Sequence, residues 1–355
     1  MSRKYNFNAG PSTLPLPVLE EAQRRLVDHG EGLSVLEMSH RSPAFQSILD
    51  GAKASLSRLL RLPDDYEILF LQGGASLQFA MVPLNLGPGG AYVTTGSWSE
   101  KALAEARIVG DAREIWSSKS EGFRRVPAPD EKLELPDDAP YLHITTNNTI
   151  YGTQWRHVPE APVLVADMSS DFISGPLDVS KFGLIYAGAQ KNAGPSGVTI
   201  VVGRRELLRS FSGAAEVPKI LRYPTHAEAG SLYNTANTFG IWLCKLVFEW
   251  IEGEGGLEEM ERRAEKKASL LYEAIDRRPD VFEGHAEKAS RSRMNVTFRL
   301  PSEEAEKRFL AEAEAAGCVG LAGHRSVGGI RASIYNALPM EAVEKLAERM
   351  DRFQP

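Results

Sequence analysis

The chain has 355 residues, 43% hydrophobic and 25% charged, with a net charge of −6. At ~150 residues per domain there is room for two domains and a large core. No dense Lys/Arg run argues for nucleic acid, and no apolar stretch is long enough to span a bilayer. The cysteines, Cys244 and Cys318, build neither a disulfide framework nor a CxxC metal site, and no metal centre is expected. The opening "MSRKYNFNAGPSTLP" has no apolar signal core. A cytoplasmic protein is expected.

"PVLEEAQRRLVDHG" has helical spacing and ends at Gly30, a C-cap candidate. "SPAFQSILDGAKASLSRLL" is predicted to be a second helix, with Ser42 as N-cap and Pro43 at its first position. The apolar runs "YEILFL", "AYVTT", "PYLHITT", "PVLVAD", "GLIYAG" and "VTIVVG" have the texture of buried strands. They alternate with helical patterns such as "ASLQFAMVPLNL" and "SEKALAEARIV". This predicts an α/β architecture with a mostly parallel sheet flanked by helices. "TFGIWLCKLVFEWI" reads as a buried helix. Beyond Gly253–Gly256, a charged helix, "RMNVTFRL", a further helix, "GGIRASIY" and a last helix suggest a smaller α+β domain. The expected division is an N-terminal segment 1–15 near the small domain, a large domain 16–255 and a small domain 256–355.

Lys191 sits in "YAGAQKNAGPSG", among small residues just after an apolar run. A solvated surface charge is the ordinary state of lysine. No P-loop, dinucleotide fingerprint or Tyr-x-x-x-Lys pair explains this one. A Schiff-base lysine fits, because a strand end in an α/β sheet faces the crevice where desolvation lowers an amine pKa. Asp167 ends the preceding strand "VLVAD". A carboxylate that keeps a pyridine nitrogen protonated is what pyridoxal phosphate (PLP) requires beside such a lysine. In "LQGGASLQF", the amides of Ala75 and Ser76 open a helix and could cradle a phosphate. Trp98 follows the next strand and could stack on a flat ring. Each has a plainer reading as a cap, a turn or packing.

The ordered set "NAGPSTLP", "EMSHRSPAF", "LQGGASLQF", "GSWSEKA", "NNTIYGTQW", "ADMSS", "YAGAQKNAGPSG", "YNTANTF" and "GHRSVGGIRASIYNALP" resembles the phosphoserine aminotransferase family. These are fold-type I PLP-dependent enzymes of the class-V aminotransferases. The resemblance implies PLP on Lys191, Asp167 at the pyridine nitrogen and Trp98 on the ring. It implies Thr149 at the ring face or phenolic oxygen, and Ala75, Ser76 and Gln190 at the phosphate. Asn234 and Thr235 would reach the phosphate of a neighbouring subunit in a homodimer. Some members carry Gly-Arg where this chain has Ala75-Ser76, so one cation is missing here.

Arginine forks suit carboxylate and phosphate. The pairs His40–Arg41 and His324–Arg325, with Arg331, therefore point to a small doubly anionic substrate. The resemblance implies Arg331 on the α-carboxylate and the two His-Arg pairs around the distal anion. It implies glutamate and 3-phosphohydroxypyruvate as substrates in serine biosynthesis, with the phosphorylated keto acid of pyridoxine synthesis as a second substrate. Alternatives are a cysteine desulfurase using Cys318, a PLP- or anion-binding protein without catalysis, and a cofactor-free class I aldolase.

Overall fold

The computed structural model describes residues 3–30, 32–213 and 216–355. Seven strands form the central sheet, in the order Tyr66–Leu71, Thr199–Arg204, Leu184–Gly188, Leu164–Asp167, Leu142–Thr145, Ala91–Thr94 and Arg113–Ser117. Only Thr199–Arg204 runs against its neighbours. The strands Ala91–Thr94, Leu142–Thr145, Leu164–Asp167 and Leu184–Gly188 are buried at every residue. Their apolar runs lack alternation because helices cover both faces of the sheet. Along Tyr66–Leu71, Ile68 and Phe70 face one core with Phe45, Trp242 and Phe248. Leu69 and Leu71 face the other, with Phe79, Tyr92 and Tyr186.

Helix Pro43–Leu60 starts as its sequence predicts. Ser42 Oγ accepts from the Phe45 amide at 3.2 Å, and Pro43 occupies the first turn. One expected cap is corrected. The first helix spans Leu16–Arg24 and stops short of Gly30. Beyond it Val27 is 82% exposed, so no buried face sustains another turn. The amides of Gly30 and Gly32 donate to Asp28 Oδ1 instead. The helix Thr238–Gly253 is capped by Asn237, whose Oδ1 accepts from the Gly240 amide at 2.9 Å.

A further core surrounds Phe298, Phe309 and Leu346. It is built on the antiparallel strands Glu283–Gly284, Asn295–Arg299 and Ile330–Ser333 and the helices Gly256–Arg277, Glu303–Ala315 and Met340–Arg352. Tyr5–Asn6 pairs in parallel with Cys318–Val319, and Phe7 is fully buried in this core. Among the described residues no helix is long and apolar enough to cross a membrane.

Candidate active site

Three adjacent strands end at one crevice. Leu164–Asp167 delivers Asp167, in register with Thr145 on one side and Tyr186 on the other. Leu184–Gly188 leads into the turn that carries Gln190 and Lys191. Leu142–Thr145 leads to a short hairpin, Asn147–Asn148 with Thr153–Gln154, whose turn carries Thr149. The Lys191 Nζ donates to Thr149 Oγ1 at 2.7 Å.

The small residues around Lys191 have a packing cause. Gly194 has φ +159°, and a Cβ there would lie 2.6 Å from Cys244 Sγ on helix Thr238–Gly253. The Lys191 turn is thus pressed onto that helix. From above, the Ser12 amide donates to the Gln190 carbonyl at 2.9 Å, and Ser12 Oγ donates to the Lys191 carbonyl. The N-terminal segment, expected near the small domain, therefore also straps the lysine turn in place. Tyr335 joins it, donating to the Ala9 carbonyl at 2.8 Å.

Electrostatics favour a neutral amine. Lys191 is half-buried by surface, yet burial in the crevice pushes its ammonium down to about 8. The Asp167 and Asp171 carboxylates oppose this, while Arg331 adds to it. Burial raises the Asp167 carboxyl, against the Ser169 amide that donates to Oδ1 at 2.9 Å and the nearby Lys191. Asp171 is pushed up to about 6 by burial, with Thr146 and Gln154 donating to it. At pH 7.5 an amine with a pKa near 8 is about one quarter neutral, against about one in a thousand at the usual lysine value. The rate at which cofactor-free protein captures PLP should therefore rise with pH and level off just above pH 8. A rate still climbing steeply at pH 10 would mean that Lys191 titrates as an ordinary lysine.

The sequence-predicted residues fall into two groups. Ala75 and Ser76 lie in the first turn of helix Gly74–Leu86, whose leading amides have no intrahelical acceptor. Gly73 and Gly74 have φ +89° and +66°, left-handed values that set the turn. Trp98 opens helix Ser97–Val109, and its indole N–H is buried without a partner. Arg331 stands on Ile330–Ser333, opposite Thr297, with its Nε buried and unpartnered. His324, in the turn before it, is held below its usual range by burial and by the charges of Arg331, Arg325 and Lys101. Lys101 had no sequence signal beyond "WSEK".

His40, Arg41, Asn234 and Thr235 form the second group. His40 is buried with its Nε2 unpartnered, whereas Arg41 is exposed. Among the described residues no hydrogen bond ties either to the Lys191 crevice. Asn234 Nδ2 donates to Gln72 Oε1 at 2.8 Å, and Gln72 Nε2 donates to the Thr235 carbonyl at 2.9 Å. The Thr235 side chain stays exposed. Cys318 is buried in its pairing with Tyr5, and burial raises its thiol. That is the setting of an inert cysteine rather than a nucleophile. Among the described residues no three His, Cys, Asp or Glu side chains cluster as metal ligands.

The model of the aminotransferase class-V family matches residues 4–346. The phosphoserine aminotransferase of Geobacillus kaustophilus (strain HTA426) is 56% identical, over 100% of this chain and 99% of its own. That of Bacillus subtilis (strain 168) is 52% identical, over 100% and 99%. The solved phosphoserine aminotransferase from Bacillus circulans subsp. alkalophilus is 49% identical and superposes with a TM-score of 0.96 over 99% of this chain and 98% of that one. The PLP-bound enzyme from Trichomonas vaginalis is 36% identical, with a TM-score of 0.92 over 99% and 100%. Agreement of this extent, over a crevice that holds a lysine beside a strand-end aspartate, makes the chain a member of the class-V aminotransferases, in their phosphoserine aminotransferase branch, with PLP as its cofactor.

Proposed function

We propose that the protein catalyses reversible amino transfer between glutamate and 3-phosphohydroxypyruvate, giving 2-oxoglutarate and O-phosphoserine for serine biosynthesis in the cytoplasm. The observation that carries this reading is the Lys191 amine, 2.7 Å from Thr149 Oγ1 and within the fields of both Asp167 and Arg331. The residues present fit PLP. The free amides at Ala75 and Ser76 suit its phosphate, the unpartnered Trp98 indole flanks the crevice, and Asp167 suits a protonated ring nitrogen. When bound, PLP supplies the electron sink for breaking a Cα–H bond. Lys191 Nζ takes that proton and returns it, a role that an amine with a pKa near 8 suits. Thr149 orients the amine. Arg331 binds the α-carboxylate and so fixes which Cα bond is presented to Lys191.

The distal anion sets specificity through His324 and Arg325 of one subunit and His40 and Arg41 of a second copy. Val27, Leu33 and Leu36, at 82%, 47% and 61% exposure, precede His40–Arg41 in the chain. Their apolar surface suits burial against a second copy. Asn234 and Thr235 reach the partner's phosphate, braced by Gln72. The two folded bodies divide at Gly255–Gly256, where φ values of +109° and +77° break the chain between two helices.

The deciding experiment is the visible spectrum of the purified protein. Glutamate should convert the PLP absorption to that of the aminated cofactor, and 3-phosphohydroxypyruvate should restore it. Glutamate without effect would overturn the reading. Subunit sharing has its own test. Lys191→Ala and an Asn234→Ala/Thr235→Ala double variant should each be nearly inactive, and mixed dimers should regain up to about one working site each. Verified hybrids that stay inactive would place Asn234 and Thr235 in their own subunit's site.

A further inference from the structure

Lys101 has no part in the reading above. It lies one helical turn after Trp98 on helix Ser97–Val109, and its side chain is exposed. Its ammonium stands 4.3 Å from the centroid of the Trp98 ring. The acid next to it, Glu100, turns away and pairs with Lys119 at 2.8 Å. Lys101 therefore keeps an unneutralised charge beside the ring that flanks the crevice.

In the small domain, His324 and Arg325 lie in the turn before strand Ile330–Ser333. The His324 imidazole meets Ser326 Oγ at 2.6 Å through Nδ1, which holds the ring and leaves Nε2 outside that bond. Besides burial, the charges of Arg331, Arg325 and Lys101 act on this imidazole. Among the described residues none of these cations has a carboxylate partner, and Arg331 Nε is buried without any partner. Cations gathered without a counter-ion repel one another, and a site of this kind is relieved by an arriving anion. The first turn of helix Gly74–Leu86 has the neutral Ala75 and Ser76, so no side-chain charge comes from that edge.

We infer that Lys101 is a specificity residue for the reaction proposed above: from its place over Trp98 it binds, with His324 and Arg325, the anionic end of the substrate farthest from the reacting carbon. This rests on that functional reading. A phosphate dianion gains more from an added cation than a carboxylate monoanion does, so Lys101 favours the phosphorylated keto acid over glutamate and over unphosphorylated analogues. The ammonium is solvent-exposed, so its contribution is modest and screened by salt. A planar Arg could reproduce it, while a neutral side chain of equal length could not.

The test uses the PLP-loaded enzyme with Lys101→Met and Lys101→Arg. Lys101→Met should raise KM for 3-phosphohydroxypyruvate about threefold to tenfold, with kcat, the visible spectrum and the rate of reaction with glutamate nearly unchanged. Turnover of unphosphorylated hydroxypyruvate should not change. Lys101→Arg should stay close to wild type, and the Lys101→Met defect should shrink as salt is raised. An unchanged KM for the phosphorylated substrate would overturn the inference. So would an equal loss on phosphorylated and unphosphorylated substrates, or a shifted cofactor spectrum, since either would mean that Lys101 merely supports Trp98. Failure of the functional reading is separable: in that case the wild-type enzyme itself would not turn over glutamate with 3-phosphohydroxypyruvate.

Discussion

Lys191→Ala should lower turnover by about 10²–10⁴-fold from loss of proton transfer alone, while the protein stays folded. The expected sparing of the fold comes from the local contacts. The Lys191 ammonium makes one side-chain hydrogen bond, to Thr149 Oγ1. The turn itself is held by backbone groups, through Ser12 and through the pairing of Ala189 with Val198, none of which alanine removes. Removing a partly desolvated amine also removes a cost of burial, so thermal unfolding should change little. A small primary amine added to the variant should restore part of the activity, and more so as the amine's pKa rises, because proton transfer follows base strength. Turnover within about tenfold of wild type would show that another group carries the proton.

Asp167→Asn should reduce turnover by about 10²–10³-fold with PLP still bound. The amide has the shape of the carboxylate, and its oxygen can still accept from the Ser169 amide, so the strand end should be preserved. What is lost is the negative charge in a buried place, where burial has already raised the acid. The measurement is kcat together with cofactor content by absorbance. A variant that kept near-normal turnover would place the ring's charged partner elsewhere. Asp171 would be the next group to test, since its carboxylate acts on Lys191 as well.

Much of the large sheet was legible, because a strand buried on both faces is written as an unbroken apolar run. The six such runs correspond to six of the seven strands. The seventh, Arg113–Ser117, escaped notice because an edge strand needs only one partner, and its "REIWS" stays partly exposed. The single antiparallel strand, Thr199–Arg204, was equally invisible: apolar texture records burial, not chain direction. Caps were legible where a short polar side chain stands directly before an apolar pattern, as at Ser42. They were misread where the helical pattern ran past the packed face, as at Arg24 and Gly30.

The site shows the same division. By itself, the sequence determined that a lysine follows one buried strand, that an aspartate ends another, and that two His-Arg pairs and Arg331 wait in loops and a strand. Those are local facts, set by residue type and by order along the chain. Only the tertiary structure decided that Thr149 holds the Lys191 amine, that Ser12 straps its turn from 179 residues away, and that the Lys101 charge acts on His324. Such contacts join segments from both folded bodies and from the N-terminal strand. They arise when buried apolar surface pulls those segments together, and no local spacing encodes which polar groups then meet.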